Sequence, residues 1–193
     1  RKGNVFHCGV STIDRLSELQ GSKYTQSKTG FIFREVGDLL KQGKKVLFSG
    51  TPCQCSGLCS YLQEKRIIAN LEQAENLLVC DLICHGVPSN ELYKRYLSWL
   101  GGKVHADNGI ESFAFRSKKQ GWGLNYHYHY HSGGVFHEVC ESCDESPYYA
   151  AFLRGNIYRD SCYKCMFARR ERIGDVTIGD YWGIETAHPG FEC

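Results

Sequence analysis

Cysteine placement is the chemical signal of this chain. Cys53 lies in Leu47–Gln54 (LFSGTPCQ), where an apolar run is broken by Ser49-Gly50-Thr51-Pro52. That pattern predicts a strand, a Gly/Pro turn, and a helix starting near Gln54. Cys84 repeats the arrangement at the end of Leu77–Cys84 (LLVCDLIC), followed by His85-Gly86-Val87-Pro88-Ser89. Ligands of open α/β sheets sit outside the carboxyl ends of strands, so both thiols are placed for chemistry. Two CxxC pairs follow, Cys140/Cys143 and Cys162/Cys165. Four thiolates from separate loops hold either a tetrahedral zinc ion or a [4Fe–4S] cluster. Joining the two CxxC pairs gives the zinc pattern, and with it a non-enzymatic, zinc-stapled interaction module. Joining Cys53 and Cys84 to Cys162 and Cys165 puts a metal at the ligand-binding edge, where it serves electron transfer. Lys164 and the run Arg169–Arg172 would offset the charge of such a cluster. Spacing alone leaves both pairings open.

The other cysteines read as packing. Cys55 and Cys59 share a helix face four residues apart, and Cys80 lies inside an apolar run; small core residues suit both places. His127, His129 and His131 alternate with Tyr126, Tyr128 and Tyr130, which predicts a strand with a polar histidine face. The loop Ser22-Lys23-Tyr24-Thr25-Gln26-Ser27 combines hydroxyls, one cation and one aromatic, a mixture suited to phosphate and ring contacts. Arg116, Lys118 and Trp122 form a second basic loop with an aromatic, flanked by Gly121 and Gly123.

The elements that must position these residues follow from periodicity. Short helices are expected over Thr12–Leu19 and within Phe31–Leu40, the latter burying Phe33, Val36, Leu39 and Leu40. A helix over Gln54–Arg66 turns Leu58, Tyr61 and Leu62 inward. The near-continuous apolar run Leu77–Cys84 predicts a strand buried on both faces. Ser89 is the expected N-cap of a helix that carries Leu92, Tyr93, Tyr96, Leu97 and Leu100 and stops at Gly101-Gly102. Beyond Gly109 the texture changes to alternation: Ile110–Arg116, Leu124–His131, a Gly133-Gly134 turn and Val135–Val139. A last strand is expected over Asp175–Asp180. The fold class is therefore α/β, a mixed sheet with parallel strand–helix units, then an antiparallel hairpin region and a cysteine-rich loop.

Length and charge narrow the function. The 193 residues are read as a single domain, and 23 basic against 21 acidic residues give a net charge of +2, which excludes polyanion binding driven by bulk charge. No apolar run approaches the ~18 residues of a membrane span, and no signal peptide opens the chain. An odd cysteine count without a signal argues for metal binding in a reducing, cytoplasmic setting over disulfides. The first residues and the last, Phe191-Glu192-Cys193, read as parts of a longer protein.

The stretches SKYTQS (Ser22–Ser27), LFSGTPCQ (Leu47–Gln54), DLICHGVPS (Asp81–Ser89), FRSKKQGWG (Phe115–Gly123), SCYKC (Ser161–Cys165) and DVTIGDYWG (Asp175–Gly183) together resemble the coenzyme F420 hydrogenase/dehydrogenase beta-subunit family. The motifs occur in that family's order and span nearly the whole chain. The resemblance implies an iron–sulfur flavoprotein that passes electrons between a [4Fe–4S] cluster, FAD and a deazaflavin-like or other two-electron substrate. It also implies a redox partner protein or ferredoxin-like domain, and this chain lacks the ferredoxin-like segment many members carry. By the resemblance Cys53, Cys84, Cys162 and Cys165 hold the cluster, while Cys140 and Cys143 match nothing. Flavin contacts are expected from Ser22, Lys23, Tyr24, Gln26 and Ser27, from Gly50, Thr51, Pro52 and Gln54, and from His85. Backbone N–H groups at Gly50–Thr51 would hold phosphate, with Lys23 adding charge and Tyr24 a stacking surface. Arg116, Lys118 and Trp122 are expected to face the second redox partner.

Overall fold

The structure, a computed structural model, describes residues 3–68, 74–121 and 123–190. Trp122, one of the three residues expected to meet substrate, lies outside the described residues. The chain divides into two compact units. Unit 1 comprises Arg1–Lys28 and Gly86–Lys164; unit 2 comprises Thr29–His85 and Cys165–Cys193. Unit 2 is thus built from two stretches of chain, and each unit has its own core.

Unit 2 is the α/β half. Helix α1 (Ile32–Lys41) leads into strand β1 (Val46–Gly50), helix α2 (Pro52–Glu64) and strand β2 (Leu77–Leu82). After the excursion through unit 1 the chain returns as β6 (Val176–Ile178) and the short α6 (Ile184–Ala187). The three strands pair in parallel in the order β1-β2-β6, with Gly50 opposite Asp81 and Leu82 opposite Ile178. One sheet face packs Phe48, Leu77 and Val79 against Ile32 and Val36 of α1 and Cys55, Leu58, Cys59 and Leu62 of α2. The expected burial of β2 on both faces holds in part: Leu77, Val79 and Asp81 are buried on one face, while on the other Cys80 is buried, Leu82 half-buried and Leu78 exposed.

A buried ion pair fastens β6 to β2. Asp81 is fully buried, and an isolated carboxylate there would be prohibitive. Arg172 brings Nη2 within 2.7 Å of Asp81 Oδ2 and donates to the Leu82 carbonyl (3.0 Å). Thr177 on β6 donates its hydroxyl to Asp81 Oδ1 (2.5 Å). Asp175 adds two bonds to Val79: its N–H donates to the carbonyl and its Oδ2 accepts from the amide, both at 2.8 Å. Gly174 permits that approach, since a Cβ there would stand 2.8 Å from the Asp81 amide.

Unit 1 is an aromatic sandwich. Helix α3 (Asn90–Lys103) is capped by Ser89, whose Oγ accepts from the Leu92 amide (3.1 Å). It runs through Gly101-Gly102 instead of stopping there. Gly101 serves close packing: a Cβ would lie 3.1 Å from the Gly109 backbone. Strands β3 (Ser112–Phe115), β4 (Asn125–Ser132) and β5 (Val135–Ser142) form an antiparallel sheet in that order. Gly133 and Gly134 both take positive φ (56° and 77°) in the two-residue turn between β4 and β5. Tyr126 and Tyr128 face inward onto Tyr93 and Tyr96 of α3 and onto Tyr148, Tyr149 and Phe152 of α4 (Pro147–Leu153). The short α5 (Asp160–Tyr163) closes the unit. Residues Ile13–Leu19 form a 3₁₀ helix with no buried residue, which explains why helical spacing there did not yield an α-helix. On the other face of β4, His127 and His131 pair with Glu138 (2.9 Å) and Glu111 (2.7 Å), so the first and last histidines of the row are partnered by carboxylates.

Removing one partner of a buried ion pair leaves the other charge uncompensated. Arg172→Ala is expected to cost about 3 kcal/mol, read as a lower midpoint in chemical denaturation. A midpoint equal to the parent's would show that Asp81 is held without this arginine.

Candidate functional site

The cysteines sort by burial. Cys55, Cys59, Cys80 and Cys143 are buried, whereas Cys53 is exposed and Cys84, Cys162 and Cys165 are half-buried. Burial pushes the Cys55 thiol up to about 12 and raises Cys59 as well, so both are inert packing groups, as their helix positions implied. Cys143 sits in the aromatic core of unit 1. Cys140 is half-buried beside Ser117 Oγ (3.9 Å).

In unit 2 the parallel register fixes two thiols. Gly50 and Asp81 are paired, and Cys53 and Cys84 each follow by three residues at the carboxyl edge of β1 and β2. Cys53 stands in the first turn of α2 with its Sγ 3.2 Å from Thr51 Oγ1. Cys165 also belongs to unit 2, and Cys162 to unit 1. As donors these four suit a soft metal: all are free thiols with some exposure. Among the described residues, no group of three or more His, Cys, Asp or Glu stands close enough to hold a metal ion.

The turn after β1 is occupied by its own side chain. Gln54 Oε1 accepts from the Thr51 amide (3.1 Å) and from the Thr51 hydroxyl (3.0 Å). A Cβ on Gly50 would lie 3.3 Å from Gln54. The Thr51 N–H expected to hold phosphate is therefore engaged in starting α2, with Pro52 buried at its first position. Of the basic run, Arg172 is engaged with Asp81, whereas Arg169 and Arg170 are exposed.

In unit 1 three motifs are drawn together. The Gln26 amide donates to the Pro88 carbonyl (2.9 Å), and the Arg159 amide donates to the Val87 carbonyl (3.0 Å). Arg159 Nη1 donates to Gln26 Oε1 (2.7 Å). The Cys162 amide donates to the Arg159 carbonyl (2.8 Å), and its Sγ lies 3.9 Å from the Val87 carbonyl. Tyr163, inside the CxxC, donates its hydroxyl to the Gly155 carbonyl (2.7 Å) and accepts from the Tyr158 amide (3.1 Å). Gly86, at φ +127°, lies under the Tyr158 ring. Spacing did not reveal Tyr158 and Arg159; their sequence signal is that they stand four and three residues before Cys162.

The remaining expected contacts are distributed as follows. Lys23 turns its ammonium back on the Gln20 (2.5 Å) and Gly21 (3.0 Å) carbonyls, and desolvation lowers its pKa. Tyr24 stacks on Phe152 (centroids 4.5 Å apart), so one ring face belongs to the core instead of being free for a ligand. Ser27 Oγ is 3.2 Å from His7 Nδ1, and Ser22 is half-buried. Desolvation lowers the pKa of His85. Arg116 is half-buried and takes φ +55° directly after β3. The other two non-glycine residues with positive φ, Arg66 and His105, follow helix ends, where that conformation terminates the helix. Arg116 has no such reason, and strained backbone of this kind clusters at functional sites. Lys118 is exposed.

Residues 43–192 match the family described as the C terminus of the coenzyme F420 hydrogenase/dehydrogenase beta subunit. No curated protein and no solved structure gives a significant match.

The glycine of the CHGVP turn supplies a direct test. A Cβ on Gly86 would come 2.4 Å from Tyr158 Cδ2. Gly86→Ala is expected to cost about 3 kcal/mol from backbone strain and overlap together, measured by chemical denaturation. Tyr158→Ala in the same chain should return the overlap share and leave the backbone share.

Proposed function

The chain belongs to the coenzyme F420 hydrogenase/dehydrogenase beta-subunit family, and from that premise we propose that it is an electron-relay part of an iron–sulfur flavoprotein. The family makes it an oxidoreductase subunit, which works within a redox partner complex. In the proposed assignment Cys53, Cys84, Cys162 and Cys165 ligate one [4Fe–4S] cluster. The observation that supports it is the pairing of Gly50 with Asp81, three residues before Cys53 and Cys84 at the carboxyl edge of β1 and β2. The burial pattern supports the same choice, since Cys55, Cys59 and Cys80 of unit 2 and Cys143 of unit 1 are withdrawn into the protein.

FAD is proposed to meet Ser22–Ser27, the Gly50–Gln54 turn and His85. Lys23 supplies the cation for the pyrophosphate by exchanging its two loop carbonyls for phosphate oxygens. Gln54 keeps its bonds to Thr51 and holds the start of α2, and with it Cys53. When bound, a flavin next to a cluster links two-electron to one-electron transfer. Arg116 and Lys118, with Trp122, are proposed to meet an anionic, ring-bearing two-electron substrate of the deazaflavin kind. The strained Arg116 backbone is the support for that placement. The whole chain is read as one redox domain to which both units contribute. A cytoplasmic location is proposed from ten free described cysteines, which a reducing compartment preserves. No helix among the described residues is long and apolar enough to cross a membrane.

Anaerobically prepared protein is expected to carry about four iron and four sulfide per chain, as a cubane requires. Single Ser replacements at Cys53, Cys84, Cys162 and Cys165 should each lower that content, while Cys55→Ser and Cys59→Ser keep it. Stoichiometric zinc in place of iron would overturn the assignment. For the flavin, Lys23→Ala should weaken FAD binding in titration by roughly ten- to a hundredfold, the loss of one charge-assisted contact. Unchanged affinity would move the phosphate site elsewhere.

A further inference from the structure

The bonds around Arg159 close a ring. Starting at its amide, the path runs to the Val87 carbonyl, across the Val87–Pro88 peptide, and from the Pro88 carbonyl to the Gln26 amide. It returns from Gln26 Oε1 to the Arg159 guanidinium (2.7 Å). Pro88 is fully buried and has no N–H to offer elsewhere. The Cys162 amide hangs from this ring at the Arg159 carbonyl (2.8 Å), and the Cys162 thiol rests at the Val87 carbonyl (3.9 Å). Every member belongs to unit 1.

We propose that Arg159 is a positioning residue for the Cys162 thiol, acting through Gln26 and the Val87–Pro88 turn. It takes from the preceding reading only that the Cys162 thiol is a working group. Two bonds to the Arg159 main chain set the local backbone whatever the side chain does. The guanidinium adds a side-chain tie between this segment and the loop Ser22–Ser27. With that tie present, the turn carbonyl that meets the thiol is held from both sides. Without it, the loop and the Arg159 segment are joined only through their main-chain bonds to the Val87–Pro88 turn. A half-buried thiol reacts through local openings, so its alkylation rate reports how often this corner opens. Ser161, next to Cys162, lines an open cavity of about 550 Å³, which brings a small reagent near without unfolding the unit.

The test is the rate of iodoacetamide modification at each cysteine of the metal-free chain, read by peptide mass spectrometry. Arg159→Ala should raise the rate at Cys162 about fivefold, the factor given by ~1 kcal/mol. Rates at exposed Cys53 and buried Cys143 should stay at the parent's values, with an unchanged far-UV spectrum. Gln26→Ala should reproduce the effect, and Gln26→Glu, which keeps an acceptor for the guanidinium, should restore protection. An unchanged Cys162 rate in a folded Arg159→Ala chain overturns the proposal. So does a parallel rise at Cys143, which would mean that the arginine supports the whole unit. If Arg159→Ala does not fold, the two Gln26 variants decide. Iron content of the parent is measured separately: a parent that takes up no iron defeats the cluster reading, while the alkylation rates still decide the role of Arg159.

Discussion

Asp81, a carboxylate without exposed surface, constrains how unit 2 can be built. It sits one strand position from the carboxyl end of β2, where an uncompensated charge would cost several kcal/mol. Its partners, Arg172 and Thr177, come from a stretch about ninety residues later in the chain. The strand β6 is three residues long, too short to hold its place by ladder bonds alone. Satisfying Asp81 is therefore tied to docking β6 at the right register. The same register sets the sheet edge from which Cys84 emerges.

Burial then divides the cysteines into two chemical classes. On α2, Cys53 and Cys55 are neighbours, yet one is open at the helix start and the other is walled in by the core with a raised pKa. The helical turn between them is enough, since it rotates the chain from the sheet edge to the sheet face. A redox site built from cysteines needs this separation. Buried thiols cost little as packing groups, while the exposed and half-buried ones stay within reach of a ligand.

Unit 1 solves a different problem, holding the residues around Cys162 in place. Its core is a stack of tyrosines and phenylalanines that also captures Tyr24, so the loop Ser22–Ser27 is anchored at its middle. The hydroxyl of Tyr163 and the main chain of Arg159 then fix the residues on either side of Cys162. Aromatic groups do this well, because a large apolar ring and a hydrogen-bonding tip act at opposite ends of one rigid side chain.

Much of the architecture was legible from local patterns. Strand–turn–helix signals at LFSGTPCQ, the Ser89 cap, the Tyr/His alternation and the Gly133-Gly134 turn each have a short-range cause, and each element forms near its expected place. The helix run through Gly101-Gly102 and the exposure of Leu78 on β2 were not legible. Whether a glycine ends a helix or admits a neighbour depends on what lies across from it, and whether an apolar strand is covered depends on where helices dock. The site divides along the same line. Residue type and spacing narrowed the ligand candidates to two pairings, Cys140 and Cys143 or Cys53 and Cys84 with Cys162 and Cys165, and only the family resemblance implied the second. The assignment of Arg172 to Asp81, of Thr51's amide to Gln54 and of Arg159 to Gln26 came only with tertiary structure. In the ion pair and the Arg159 contact the partner is remote in sequence, and in the Gln54 contact a side chain competes for a donor that spacing leaves open. The amino-acid sequence thus determined which groups are able to react. Folding decided which of them are already spoken for, since a hydrogen-bond donor or a charge inside a protein must be satisfied by whatever the chain brings beside it.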